Sequence, residues 1–272
     1  MRHISNGIPV AAAVLLLAGA ARAAGPPGGP LTKCPVDAVV SGAGCMDQYE
    51  ASVWRVPNPT TTNKRLVAKI QQGKATAALL TAGGATLLGR ADSDYAPCAD
   101  SGQNCANDIY AVSLPGVTPS AFITWFQAQQ ACTNAGKRLP SNAEWQAAVI
   151  GTPDPGGDNG TTDCNTASTS TVAATGSRSS CVSSDGAFDM VGNLFEWVAD
   201  WVPRSTACGR WSAGVSPTGD YQCLAGADTT GEPGALLRGG YFNGGAFAGP
   251  LAVVSDFEPS TSLFLIGFRC TR

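Results

Sequence analysis

The sequence predicts an irregular α+β domain with little regular secondary structure and a dense set of disulfides. Three observations point there. Ten cysteines, an even number, all lie after residue 33. Thirty-three glycines and 18 prolines interrupt the 272-residue chain, and both residue types punctuate helices and strands. The best-signalled helices are two short ones near the middle, followed by a long stretch of turns and short strands.

Taken in order, the first segment reads as an export signal. Arg2 and His3 precede an apolar run from Ile8 to Ala20, and Ala21-Arg22-Ala23 is a small-x-small cleavage site. This is the pattern of a secretory signal peptide over residues 1–23. Its apolar core is too short to span a bilayer comfortably, and the first cysteine, Cys34, is too far away to carry a lipid anchor. No other segment is apolar enough to span a membrane. Residues 24–33 form a Gly/Pro-rich linker, and residues 34–272 are expected to form one domain. Cleavage leaves about 249 residues, enough for a real core, with a net charge of about −5. A mildly acidic chain lacks the basic footprint that nucleic acid requires. The expected location is the periplasm or the cell exterior.

Cys34 to Glu50 reads as a strand, a turn and a second strand. Lys64 to Gly89 reads as one or two short helices interrupted by Gly73, Gly83 and Gly84. Thr118-Pro119 supplies an N-cap and a first-turn proline, with Phe122, Trp125, Phe126 and Gln129 on one stripe. Gly136 stops that helix. Ser141-x-x-Glu144 is a capping box that opens another, through Ala148. Gly151 to Ser184 is polar loop. Leu236 to Phe242 and Phe264 to Arg269 are the best strand candidates.

An even cysteine count in an exported chain implies disulfides. Four pairs are close in sequence: Cys34/Cys45, Cys98/Cys105, Cys164/Cys181 and Cys208/Cys223. Cys132 and Cys270 remain as a long-range pair. This connectivity is a hypothesis, because ten cysteines allow many pairings. No two cysteines have the Cys-x-x-Cys spacing common in zinc sites. The only histidine is His3, so the exported chain has none. That excludes Ser-His-Asp and Cys-His catalysis and histidine-ligated zinc or iron.

Gly186 to Trp201, GAFDMVGNLFEWVADW, is the most informative stretch. Gly192-Asn193 prevents an ordinary helix. An irregular turn followed by a fixed carboxylate suits calcium, which takes carbonyl and carboxylate oxygens. A tightly turned core segment with buried tryptophans accounts for the same residues.

Four segments in order resemble the formylglycine-generating enzyme, or sulfatase-modifying factor, family. They are ACTNAGKRLPSNAEW (Ala131 to Trp145), GAFDMVGNLFEWVADW, LRGGYFN (Leu237 to Asn243) and IGFRC (Ile266 to Cys270). CMDQYEAS is similar to the family's first strand. The resemblance implies a C-type-lectin-like fold over residues 34 to 272 and a bridge between Cys132 and Cys270. It also implies a structural calcium ion on the carbonyls of Asp189, Gly192 and Leu194 and the side chain of Glu196. The family's second calcium segment has no match here. Lys137, Arg138 and Glu144 match family landmarks and read as fold-building contacts at helix ends.

The family's chemistry is not expected to carry over. Its oxidases hold copper(I) on two thiolates after the RGG segment, and soft thiolates suit that ion. Here Arg238 to Glu258 contains no cysteine. Related iron enzymes use histidines. Neither copper nor iron is therefore expected, and fold alone does not bring function.

Three functions remain. The first is a non-catalytic, exported module that binds a glycan, peptide or protein. Its surface after the RGG segment would use Tyr241, Phe242, Asn243, Phe247, Asp256 and Phe257 to stack on and hydrogen-bond a ligand. The bland alternative makes Tyr241 and Phe242 core residues. The second is a formylglycine-generating oxidase acting on sulfatase cysteines, with Cys208 and Cys223 as displaced ligands. The third is a disulfide-stabilised envelope protein with no small ligand.

Overall fold

The computed structural model describes residues 33–105 and 107–272. The expected signal peptide, and the linker up to residue 32, lie outside the described residues. Five disulfides form: Cys34–Cys45, Cys98–Cys105, Cys132–Cys270, Cys164–Cys181 and Cys208–Cys223. They match the sequence pairing, and no cysteine is left free.

The N-terminal half follows the local signals closely. β1 (Ala38–Ser41) and β2 (Gly44–Asp47) form an antiparallel hairpin. β3 (Ala51–Arg55) pairs with β4 (Thr86–Leu87) and β5 (Ile109–Ser113). Between β3 and β4 lie α1 (Lys64–Gln71) and α2 (Ala77–Ala82). They bury Leu66, Ile70 and Leu80 against Trp54, Tyr110 and Val112.

The next helix departs from the sequence reading. α3 spans Trp125–Asn134 and is capped by Thr124, not Thr118. Thr124 and Gln127 exchange a full capping box, which satisfies two of the donors a helix start leaves free. Phe122 takes a left-handed backbone (φ 53°), so the chain from Thr118 cannot continue as helix. The buried stripe is Gln127, Ala128, Ala131 and Cys132, one step round from the expected one. α4 (Asn142–Ala148) starts at the Ser141–Glu144 capping box as expected.

The C-terminal half builds one mixed sheet in the order β11-β6-β9-β10-β8-β7. Its strands are β6 (Phe195–Val202), β7 (Ala207–Arg210), β8 (Tyr221–Ala225), β9 (Gly234–Arg238), β10 (Val253–Val254) and β11 (Ile266–Phe268). The expected strand to Phe242 ends at Arg238, because Gly239 and Gly240 both adopt positive φ, which L side chains avoid. Phe195, Trp197, Leu237, Ile266 and Phe268 from this sheet share a core with Ile109, Ala131 and Cys132. No described helix is long and apolar enough to cross a membrane.

Candidate functional site

The turn before β6 is built from left-handed residues. Asp189, Gly192 and Asn193 have φ of 58°, 73° and 55°. A Cβ on Gly192 would lie 2.3 Å from the Asn165 carbonyl oxygen, so only glycine fits this close approach. Asn193 holds the turn from inside. Its amide nitrogen donates to Glu50 and to the Ala173 carbonyl, and its oxygen accepts from the Ala173 and Asn165 nitrogens. The Leu194 amide donates to Glu50 Oε1 at 3.0 Å.

Glu196 is buried and fully engaged. Its carboxylate accepts from Arg269 Nε at 2.9 and 2.8 Å, from Arg269 Nη2 at 2.6 Å and from Trp145 Nε1 at 2.7 Å. Asp189 accepts from the Gly176 amide at 2.7 Å. Burial pushes the Asp189 carboxyl up to about 6, partly offset by that amide and by Arg269. Glu50 is also raised well above the usual carboxylate range, by burial and then by the Asp189 and Glu196 charges. Three buried acids thus crowd one turn.

Two features of this turn fit the calcium expectation. Three buried carboxyls gather there, two of them raised by burial and by one another, and the carbonyls of Asp189 and Gly192 meet no hydrogen-bond donor among the described residues. One feature opposes it: the Glu196 carboxylate is already committed to Arg269 and Trp145. The ion would have to share Glu196 with a guanidinium.

The residues expected to bind a ligand lie on the other side of β6 and β9. A cavity of about 480 Å³ opens there, lined by Tyr241, Asn243, Phe247, Asp256 and Phe257. The sequence reading named all five. The backbone turns of Gly239 and Gly240 (φ 84° and 86°) aim the chain into it, and a Cβ on Gly240 would meet Ala248 at 2.4 Å. Phe195, Tyr221, Val254 and Leu265 add to the apolar wall.

Phe242, the sixth expected residue, does not line this cavity. It is 4% exposed and packs toward Phe264, with ring centroids 6.0 Å apart. Its amide donates to the Asn193 carbonyl at 3.0 Å. Phe242 sits in the turn Tyr241–Gly244, closed by the Gly244 amide donating to the Tyr241 carbonyl at 2.9 Å, and the turn directs its ring into the protein and not into this cavity.

Inside the cavity the aromatic rings support one another. Tyr241 lies 5.3 Å from Phe195, and Tyr221 meets Phe247 edge-on at 5.1 Å. The Arg210 guanidinium lies 3.8 Å from the Phe247 centroid. Asp256 is half-buried, and its Oδ1 is sealed inside with no hydrogen-bond partner among the described residues. Burial raises its carboxyl above the ordinary range. The Cys208–Cys223 bridge stands beside it, with Cys208 Sγ 3.8 Å from Asp256 Oδ2.

The chain is a member of the family defined by the sulfatase-modifying factor enzyme 1-like domain, whose pattern matches residues 48–272. Its curated relatives are longer proteins. The tail fiber receptor-binding protein of Bordetella phage BPP-1 is 29% identical over 147 residues, 53% of this chain and 35% of that protein. Serine/threonine-protein kinase Pkn1 of Chlamydia trachomatis serovar L2 is 35% identical over 88 residues, 30% of this chain and 14% of the kinase. The chain therefore spans about a third or less of the curated relatives it matches. Among solved structures, the Major Tropism Determinant I1 variant superposes with a TM-score of 0.48 at 19% identity, covering 89% of this chain and 54% of that one. PvdO from Pseudomonas aeruginosa superposes with a TM-score of 0.37 at 18% identity, covering 84% and 80%.

Proposed function

We propose that the chain is an exported, non-catalytic binding module whose ligand, a group on a glycan, peptide or protein, enters the aromatic cavity beside β8, β9 and β10. The observation that carries this reading is convergence. Five of six residues expected to bind come together in one concave, largely apolar space, with Asn243 and Asp256 to orient a ligand. That combination is typical of binding sites. A relative whose name includes receptor binding supports the same reading. Five bridges suit an oxidising compartment, which supports export. The test is capture from glycan and peptide arrays, compared between the wild type and Tyr241→Ala. Saturable capture lost in the variant supports the module. No capture on any array favours the envelope protein instead.

One observation favours the oxidase as a second reading. Ligand atoms of Cys208, Cys223 and Asp256 lie within 4.8 Å of one another, and Asp256 lines the cavity. While Cys208 and Cys223 are bridged they offer no thiolate to copper(I). A free-thiol count on the denatured, unreduced protein separates the readings. Zero thiols supports the module, and two thiols at Cys208 and Cys223 supports the oxidase.

Calcium at the Asp189–Glu196 turn is part of the proposal. The free carbonyls and the crowded acids support it, with Glu196 shared with Arg269. Calcium should raise the melting temperature saturably, and a chelator should reverse the gain. Identical melting with and without chelator would show that Arg269 alone neutralises the turn.

A further inference from the structure

We propose that the cavity takes an alkylammonium group, such as a lysine side chain or a free primary amine. This rests on the binding reading above and narrows its ligand class. The walls include five aromatic rings, those of Phe195, Tyr221, Tyr241, Phe247 and Phe257. Ring faces attract cations, and arginine, lysine and ligand ammonium groups all use them. Phe247 already does so on one face, where Arg210 lies 3.8 Å from its centroid.

Charge selects the sign of the ligand. Among the described residues Asp256 is the one carboxylate in the lining, and no lysine or arginine lines it. The cations nearby are committed elsewhere. Arg204 is bonded to Asp228 and to Glu258, and Arg210 sits over Phe247. Asp256 Oδ1 is sealed inside the protein, so the oxygen left to the cavity is Oδ2. Among the described residues Oδ2 is approached only by Cys208 Sγ at 3.8 Å, a bridged sulfur with no proton to give. A partly buried carboxylate without a donor is costly. An N–H of an ammonium would supply a bond to Oδ2, while its methylenes would cover the rings. An anionic ligand would meet Asp256 with the wrong sign. A neutral hydroxyl would satisfy Oδ2 but gain nothing from the ring faces.

The direct test is calorimetric titration of the intact, disulfide-bonded protein with n-butylamine and with n-butanol. Butylamine should bind saturably, and butanol at least about tenfold more weakly. Asp256→Asn should weaken butylamine about tenfold or more and leave butanol unchanged. Should Asp256→Asn fail to fold, Phe247→Leu serves, with butylamine weakened about threefold and butanol unaffected. A lysine peptide and its Nε-acetylated twin then identify the source of the group. Preference for the lysine peptide indicates a protein partner, and binding of butylamine alone indicates a free amine. Equal binding of butylamine and butanol, unchanged affinity in Asp256→Asn, or no butylamine binding each overturns the ammonium assignment. If butylamine fails while an array ligand is captured and then lost in Tyr241→Ala, the cavity reading survives without the ammonium. If neither occurs, both fall.

Discussion

Lys137 Nζ lies 2.7 Å from Asp37 and 2.6 Å from Asp47, and the lysine side chain is fully shielded from solvent. A buried cation between two acids ties the β1–β2 hairpin to the end of α3. Removing it leaves Asp47 buried without its main counter-charge. Lys137→Met should therefore cost about 3–5 kcal/mol in urea unfolding, and a loss under about 1 kcal/mol would mean water reaches Asp47. Arg138 and Glu144 form a lighter pair at the surface, at 2.5 Å. The Arg138 guanidinium holds the Glu144 carboxyl down to about 2. Its folded value is depressed, so its stabilisation is present above the ordinary value near 4.5 and is lost as pH falls toward about 2. Both partners are substantially exposed, so Arg138→Ala should reduce stability at pH 6 by less than about 1 kcal/mol. The sequence marked all three residues as fold-building, because they sit beside helix ends. It did not mark Glu50, whose partners Asn193 and Leu194 are more than 140 residues away. Such a pairing leaves no local pattern.

Among the elements, bridges and caps were the most legible, and helix starts less so. Short cysteine spacings identify pairs that local chain geometry can close. Thr118-Pro119 reads as the helix start, whereas the structure starts the helix at the Thr124–Gln127 capping box, and the reason is tertiary. The Phe122 amide donates to the Leu263 carbonyl at 3.0 Å, which holds that residue outside the helix. The bridges also differ in weight. Cys132–Cys270 spans 138 residues and Cys98–Cys105 spans 7. Closing a longer loop removes more entropy from the unfolded chain. A Cys132→Ala/Cys270→Ala double variant should lose about 4–5 kcal/mol, against about 2–3 kcal/mol for Cys98→Ala/Cys105→Ala. Denaturant melts of the two variants check the order, and equal losses would point to strain or residual structure instead of loop entropy.

At the scale of the whole molecule, the cavity is a product of topology. Tyr221 comes from β8, which reaches the site because β10 pairs with it in parallel. Phe195 comes from the start of β6, and Leu265 from just before β11. These three residues were not visible in the sequence, since crossovers between distant strands bring them together. The segment from Tyr241 to Phe257 was visible through the family resemblance, because it follows the RGG segment that carries it. Within it Phe242 faces away, which makes it a control. Phe242→Ala should cost about 3–5 kcal/mol of stability through a core cavity while leaving ligand capture intact in the folded fraction. Tyr241→Ala should do the reverse. The most direct measurement is therefore saturable capture on glycan and peptide arrays by the wild type, Tyr241→Ala and Phe242→Ala, with each variant's folded fraction set by its melt. Capture lost only in Tyr241→Ala is the expected result. Capture that survives Tyr241→Ala, or that falls in step with the stability of both variants, would contradict a binding site in this cavity.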